Sequence, residues 1–250
     1  MRTILITGAS SGIGKACAEK LSSAETQLIL CSRNIDKLQN LKNKLESKAA
    51  SISIYKVDVQ KMDSVEAMFK DLAEGGINVD ILVNNAGLAL GLSDVENGDI
   101  SDWDMMIDTN IKGLLYVTKL SLRHMVKNNF GHIVNMGSIA GIYAYPKGAV
   151  YAATKSAVKF ISDGLRKELV DKNIKVTNIQ PGLVETNFSN VRFRGDLERA
   201  NDVYRGIKPL TADDVADTVS YVISMPQHVQ ICEITITPLH QASVDVVYRE

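Results

Sequence analysis

Short aliphatic and β-branched runs alternate with longer amphipathic stretches along the whole chain, and nothing else in the sequence constrains the fold as strongly. The runs are Arg2–Thr7, Gln27–Cys31, Ser51–Val57, Asp80–Val83, His132–Met136, Lys175–Gln180 and Ile231–Thr235. Between them lie the helical patterns Gly14–Ser23, Asp36–Lys48, Ser64–Leu72, Trp103–Lys127, Ala149–Val170 and Thr211–Ser224. Ile4-Leu5-Ile6, Leu28-Ile29-Leu30 and Ile81-Leu82-Val83 are continuously apolar, as strands covered on both faces must be. Strict alternation demands right-handed crossovers, so an α/β architecture is expected: a three-layer, doubly wound fold with a seven-stranded, mainly parallel sheet. No linker, low-complexity tract or solenoid-period repeat interrupts it, so residues 1–250 are read as a single domain. The least regular segment, 185–209, is too long for an ordinary connection and is a candidate lid or binding loop.

Composition removes several function classes. A formal net charge of -1 gives no field to gather nucleic acid or anionic lipid. The four histidines and three cysteines are scattered, with no zinc-ligand spacing and no disulfide framework, so no metal is expected. No apolar run approaches the roughly 20 residues that span a bilayer, and no leader pattern opens the sequence. A reducing cytoplasm is the expected location.

The first strand runs into Thr7-Gly8-Ala9-Ser10-Ser11-Gly12-Ile13-Gly14 and then a helix. Gly8 allows a tight turn, Gly12 admits backbone close to a pyrophosphate, and Gly14 lets helix and strand pack closely. Amides at the helix N-terminus, at Ser10, Ser11 and Ile13, favour an anion there. The spacing is not Gly-x-Gly-x-x-Gly, and a bare connecting turn is the alternative; position after the first strand favours a dinucleotide site. The second strand ends at Ser32-Arg33 with no acidic residue between Gln27 and Ile35. A carboxylate here selects NAD through the ribose 2′-hydroxyl, whereas an arginine suits the 2′-phosphate of NADP. The alternative for Arg33 is a solvated cation at a helix start.

Asp58-Val59 after the third strand offers a carboxylate and an amide to the adenine edge, or simply a strand-to-helix cap. Asn84-Asn85-Ala86-Gly87 follows the fourth strand at its carboxyl end, where open α/β sheets place ligands, and small Ala86 and Gly87 admit a ribose. Ser138 lies just beyond the fifth strand, followed by Tyr151-Ala152-Ala153-Thr154-Lys155. Residues i and i+4 share one helix face, so the Tyr151 phenol and Lys155 ammonium lie side by side. A tyrosine near pKa 10 is a poor base at neutral pH, and a neighbouring cation favours its phenolate. Ser138 can bond the same substrate oxygen, and Asn110 can hold a water linking Lys155 to solvent. Singly these are a surface Tyr/Lys pair, a turn serine and a buried amide. Their order along the chain is what carries meaning.

The sequence resembles a classical short-chain dehydrogenase/reductase over essentially all 250 residues. The family's Thr-Gly-x-x-x-Gly-x-Gly falls on Thr7 to Gly14, its Asn-Asn-Ala-Gly on Asn84 to Gly87, and its Asn-Ser-Tyr-Lys tetrad on Asn110, Ser138, Tyr151 and Lys155. The resemblance implies a Rossmann fold and NADP(H) as cofactor. It adds Pro181 and Gly182 after the sixth strand, and nicotinamide-amide contacts near Val184 and Thr186. Three segments are similar to a narrower group, the NADP-dependent 3-hydroxy acid dehydrogenases: 85–91, 106–110 and 181–193. That likeness implies hydride transfer with serine, allo-threonine or malonic semialdehyde-type substrates, in a cytoplasmic homotetramer. Ser32-Arg33 departs from the two adjacent basic residues often found in that group, which loosens the expected NADP preference. A substrate carboxylate wants a cation, and Arg192, Arg194 and Lys147 lie in candidate loops, with Arg192 the first choice. Another carbonyl class (3-oxoacyl, sugar or pteridine) and a non-catalytic cofactor-binding regulator are the competing readings.

Overall fold

The computed structural model describes residues 1–250. Seven strands form one parallel sheet in the order β3-β2-β1-β4-β5-β6-β7. They are β1 (Arg2–Thr7), β2 (Thr26–Ser32), β3 (Ser51–Lys56), β4 (Ile81–Asn84), β5 (Gly131–Met136), β6 (Ile174–Pro181) and β7 (Glu233–Ile236). Every pairing is parallel, so "mainly parallel" sharpens to entirely parallel.

Alternation within each strand divides the core in two. Ile4 and Ile6 face one layer, where they meet α1 (Gly12–Leu21), α2 (Ile35–Leu45) and α9 (Ala212–Ser224). Leu5 points the other way, toward α3 (Met62–Glu74), α5 (Leu114–Asn128) and α6 (Ala149–Glu168). The fully buried β1, β2 and β4 side chains explain why those runs are apolar at every position. Across the second layer runs an in-register row of buried amides, Asn84, Asn135 and Asn178 on neighbouring strands. The Asn84 amide donates to Asn135 at 3.0 Å and to Thr118 at 2.8 Å, which fixes strand register beneath the site.

Two expectations need correction. The pattern at Trp103–Lys127 is not one α-helix: α4 (Ile100–Ile107) passes through a π-helical stretch, Asp108–Gly113, before α5 begins. Periodicity is blind to such an insertion, because the apolar stripe resumes after it; π segments recur at functional sites, and this one carries Asn110. The segment 185–209 is also more regular than expected, since α7 (Phe188–Arg192) and α8 (Leu197–Asp202) lie within it. Asp196 caps α8 through the Arg199 amide at 3.1 Å.

Candidate active site

The chain runs outward from β1 through β2 to β3, then crosses back to place β4 on the other side of β1, and the crevice at the strand carboxyl ends at this reversal is where ligands enter such sheets. A cleft of about 350 Å³ occupies it. Its wall contains Gly8, Ser10, Ser11, Gly12 and Ile13 from the first turn, Ser32 and Arg33 from the second, and Asp58 and Val59 from the third. Asn85, Ala86 and Gly87 follow from the fourth, Ser138, Tyr151 and Lys155 from the fifth crossover, and Pro181, Gly182, Val184 and Thr186 from the sixth. The sequence-predicted cofactor residues are therefore brought to one cleft. Asn110 is buried beside Gly87, and Arg192 lies on the far side of Tyr151.

The cleft fits a dinucleotide because its glycines leave room that side chains would fill. Gly8 and Gly12 hold φ of +66° and +53°, the left-handed region that favours glycine. A Cβ on Gly14 would collide with the Asn85 amide nitrogen and lie 2.5 Å from the Gly8 carbonyl oxygen. Ser11 is the N-cap of α1 yet makes no capping bond to it, so the first-turn amides stay free for an anion. Arg33 is exposed at the cleft rim with no acidic partner. Asp58 accepts from the Gln60 amide at 3.2 Å, which turns its carboxylate edge along the rim.

Thr7 is the residue sequence reasoning missed. Its hydroxyl accepts from the amides of Asn85 at 3.0 Å and Ala86 at 2.9 Å, while the Asn85 side chain donates back to the Thr7 carbonyl at 2.9 Å. Phosphate turn and ribose turn are thus one welded unit. The sequence signals for this are a β-branched hydroxyl at the end of an apolar strand and its place at the head of the Thr7 to Gly14 motif, neither of which names the Asn85 turn as its partner.

On the nicotinamide side, Lys155 donates to the Met136 carbonyl at 2.9 Å, and its ammonium lies 6.0 Å from the Tyr151 ring centre. Burial lowers the Lys155 pKa to about 8. Burial raises the Tyr151 phenol to about 12, and Tyr145 adds to the rise; the Ser138 hydroxyl and the Arg192 charge act the other way. The buried phenol therefore keeps its proton at neutral pH. Ser138 caps the short turn Ile139–Gly141 by accepting from the Ala140 amide at 3.1 Å, which fixes its side chain against Tyr151.

Asn110 spends both amide hydrogens, on the Leu88 carbonyl (2.8 Å) and the Thr154 hydroxyl (3.0 Å), while its oxygen accepts from the Leu88 amide at 2.9 Å. Only one oxygen lone pair is left for the water expected there. Its side chain ties the segment after Gly87 to the helix bearing Tyr151 and Lys155. A Cβ on Gly87 would sit 3.2 Å from the Asn110 oxygen and 3.4 Å from the Lys155 nitrogen, so the three meet at one point.

Phe188 leans on Tyr151 with ring centres 5.8 Å apart, which brings α7 over the phenol. Beyond it opens a second cavity of about 110 Å³, whose wall includes Tyr151, Arg192 and Lys147. Arg192 donates to the Gly91 carbonyl (3.0 Å) and the Tyr145 hydroxyl (2.9 Å), with its guanidinium carbon 5.9 Å from the Tyr151 ring centre. Of the other two candidate cations, Lys147 stands in the same wall and Arg194 is committed to Asp102 at 2.6 Å.

The family described as short chain dehydrogenase matches residues 2–196. The chain belongs to the short-chain dehydrogenase family. It is accordingly an oxidoreductase acting on hydroxyl groups. Among its relatives, an NADP-dependent 3-hydroxy acid dehydrogenase of Schizosaccharomyces pombe (strain 972) is 40% identical, covering 100% of this chain and 97% of that protein. The NADP-dependent 3-hydroxy acid dehydrogenase YdfG of Escherichia coli (strain K12) is 41% identical, over 96% of each. Among solved structures, the closed form of a serine dehydrogenase complexed with NADP+ superposes with a TM-score of 0.92 at 40% identity, covering 99% of this dehydrogenase and 100% of that chain. The serine dehydrogenase from Escherichia coli gives 0.83 at 37% identity, over 96% and 99%.

Proposed function

We propose that this dehydrogenase is an NADP-dependent oxidoreductase of small 3-hydroxy acids, of the serine, allo-threonine and 3-hydroxypropionate/malonic semialdehyde type. The observation that carries this reading is Tyr151 as the shared wall of two compartments, a dinucleotide cleft on one side and a small cavity holding Arg192 on the other. Bound NADP(H) supplies or accepts the hydride. Tyr151 gives its proton to the substrate oxygen in reduction and recovers it in oxidation; Ser138 holds that oxygen in line. The Lys155 ammonium stabilises the phenolate left behind. Asn110 positions the Lys155-bearing helix against the Gly87 segment. Arg192, which has no acidic partner, receives the substrate carboxylate. A cavity this small disfavours a 3-oxoacyl chain.

The NADP dependence of the relatives favours the same cofactor here, as does Arg33 at the rim. Arg33→Asp is expected to weaken NADPH binding at least tenfold more than NADH binding, read by nucleotide fluorescence titration. Equal weakening of both would remove Arg33 from the 2′-phosphate site. The function itself is tested by a steady-state panel of hydroxy acids and simple alcohols with NADP and NAD in parallel. Wild type should favour the acids, and Arg192→Ala should cost the acids about 30-fold or more while an uncharged alcohol changes little. A similar loss for both substrates rejects carboxylate recognition by Arg192.

The whole chain 1–250 acts as one dinucleotide-binding domain in this reading, with 185–209 forming the substrate loop. Assembly as a homotetramer is supported by apolar side chains left uncovered on α5 and α6, notably Phe160 at 72% exposed, with Leu115 and Val126. Three free thiols, Cys17, Cys31 and Cys232, suit a reducing cytoplasm. No helix is long and apolar enough to cross a membrane.

A further inference from the structure

The second cavity carries a feature that carboxylate recognition does not use. Its wall holds Gly91, Asp99, Asp102, Lys147, Tyr151 and Arg192, so cations and carboxylates face the same small space. Asp102 is the unusual member, a carboxylate buried on the first turn of α4 with only 8% of its surface exposed. Its Oδ1 takes the Arg194 guanidinium at 2.6 Å. Its Oδ2 is turned toward Gly91, 3.3 Å from where a Cβ on that residue would lie. Gly91 needs the absence of a side chain doubly, since its φ is +64°. On its other side, the Gly91 carbonyl accepts from Arg192. One glycine thus separates an arginine that has no acidic partner from a carboxylate with one oxygen left over, beside the proton-donating tyrosine. Arg194, which pairs with Asp102, holds a φ of +52°, a conformation uncommon outside glycine that persists where its surroundings hold it.

Asp102 already shares its charge with Arg194 through Oδ1, so a substrate bearing only a carboxylate would gain from Arg192 and leave the Asp102 Oδ2 without a donor. A substrate with an ammonium beside its carboxylate satisfies both, because a buried charge is tolerated when a counter-charge pairs with it. We infer that Asp102 receives the ammonium of a 2-amino-3-hydroxy acid while Arg192 takes its carboxylate, which makes Asp102 the residue that separates amino from non-amino substrates. This inference rests on the proposal that the site takes 3-hydroxy acids. Gly91 belongs to the recognition as the spacer that lets both charges reach one solute.

The test compares serine with 3-hydroxypropionate, which differ by the ammonium alone, in wild type and in Asp102→Asn. Asparagine keeps the size of the side chain and a bond acceptor but loses the charge. The expected result is a fall of about 30-fold or more in kcat/KM for serine, carried mainly by KM, with a change under about threefold, or a gain, for 3-hydroxypropionate. Asp102→Glu, which keeps the charge but displaces it, is expected to shift the same ratio in the same direction and serves if the asparagine variant does not fold. Equal losses for both substrates would mean that Asp102 acts only by anchoring Arg194, and Arg194→Met would then reproduce them. No change for either substrate would place the ammonium elsewhere; either result overturns the assignment. If wild type turned over uncharged alcohols but neither acid, the 3-hydroxy acid reading itself would fall, an outcome distinct from the other two.

Discussion

Tyr151→Phe is expected to lower kcat by about 10²- to 10⁴-fold while leaving NADPH affinity unchanged. The substitution removes one oxygen and keeps the ring that packs on Phe188, so the cleft and the second cavity keep their shapes. What is lost is the proton that burial holds on the phenol, at a pKa raised to about 12. Steady-state rates paired with a fluorescence titration of NADPH read the two effects separately. Unchanged turnover would remove Tyr151 from the chemistry, and a matching loss of NADPH binding would make its role structural. The pH profile of wild type follows from the partner cation. Burial brings Lys155 down to about 8, so below that pH the ammonium is present to stabilise the phenolate formed when Tyr151 gives up its proton. Carbonyl reduction should therefore decline as pH rises through about 8, whereas oxidation, which starts from the phenolate that the same ammonium stabilises, should gain from rising pH only until that ammonium is lost near 8.

The second large effect concerns Gly14→Ala. One methyl group there would have to occupy space already taken by the Asn85 amide nitrogen, 2.5 Å from the Gly8 carbonyl oxygen. Neither neighbour can give way alone, because Thr7 bonds the Asn85 and Ala86 amides and Asn85 bonds the Thr7 carbonyl. Forcing the two turns apart is expected to cost roughly 1–3 kcal/mol of stability, the ordinary penalty of overpacking, and to weaken dinucleotide binding by at least tenfold. Gly164 gives the control. It lies within α6, and a methyl group there would meet nothing within 4 Å. Gly164→Ala should therefore stabilise by about 0.5–1 kcal/mol through helix propensity alone. Denaturant melts and nucleotide titrations on both variants decide the matter. Retention of stability and cofactor affinity by Gly14→Ala would show that the turns are not rigidly joined.

The architecture was legible because its signal is collective. Apolar runs such as Ile4-Leu5-Ile6 are demanded by two covering layers, and their strict alternation with helices points to an α/β fold with a parallel sheet. The positions of Ser138, Tyr151 and Lys155 were legible for the same reason, each falling beside an expected strand end. Features that depend on one backbone departure were not. The π-helical stretch at Asp108–Gly113 leaves the apolar pattern intact on either side, so periodicity cannot report it. The pairing of Arg192 with Gly91 joins residues 101 apart in sequence, and that of Arg194 with Asp102 joins residues 92 apart. The sequence marks both arginines as candidate cations, but only the folded chain tells which one is already neutralised.

The placement of Tyr151 between two compartments has a consequence for how this enzyme can change. The dinucleotide side is built on strand ends that the sheet holds in register, and Thr7 locks two of them together. The other side is built from the connection after β4, α4, the start of α6 with the residues before it, and the end of α7, none of which belongs to the sheet. With the proposed substrate contacts on that side, substitutions at Gly91, Asp102 or Arg192 are expected to retune what is oxidised without disturbing the dinucleotide cleft. Tyr151 is the one hinge of inheritance common to both, the single position at which a lineage exploring new alcohols has no freedom.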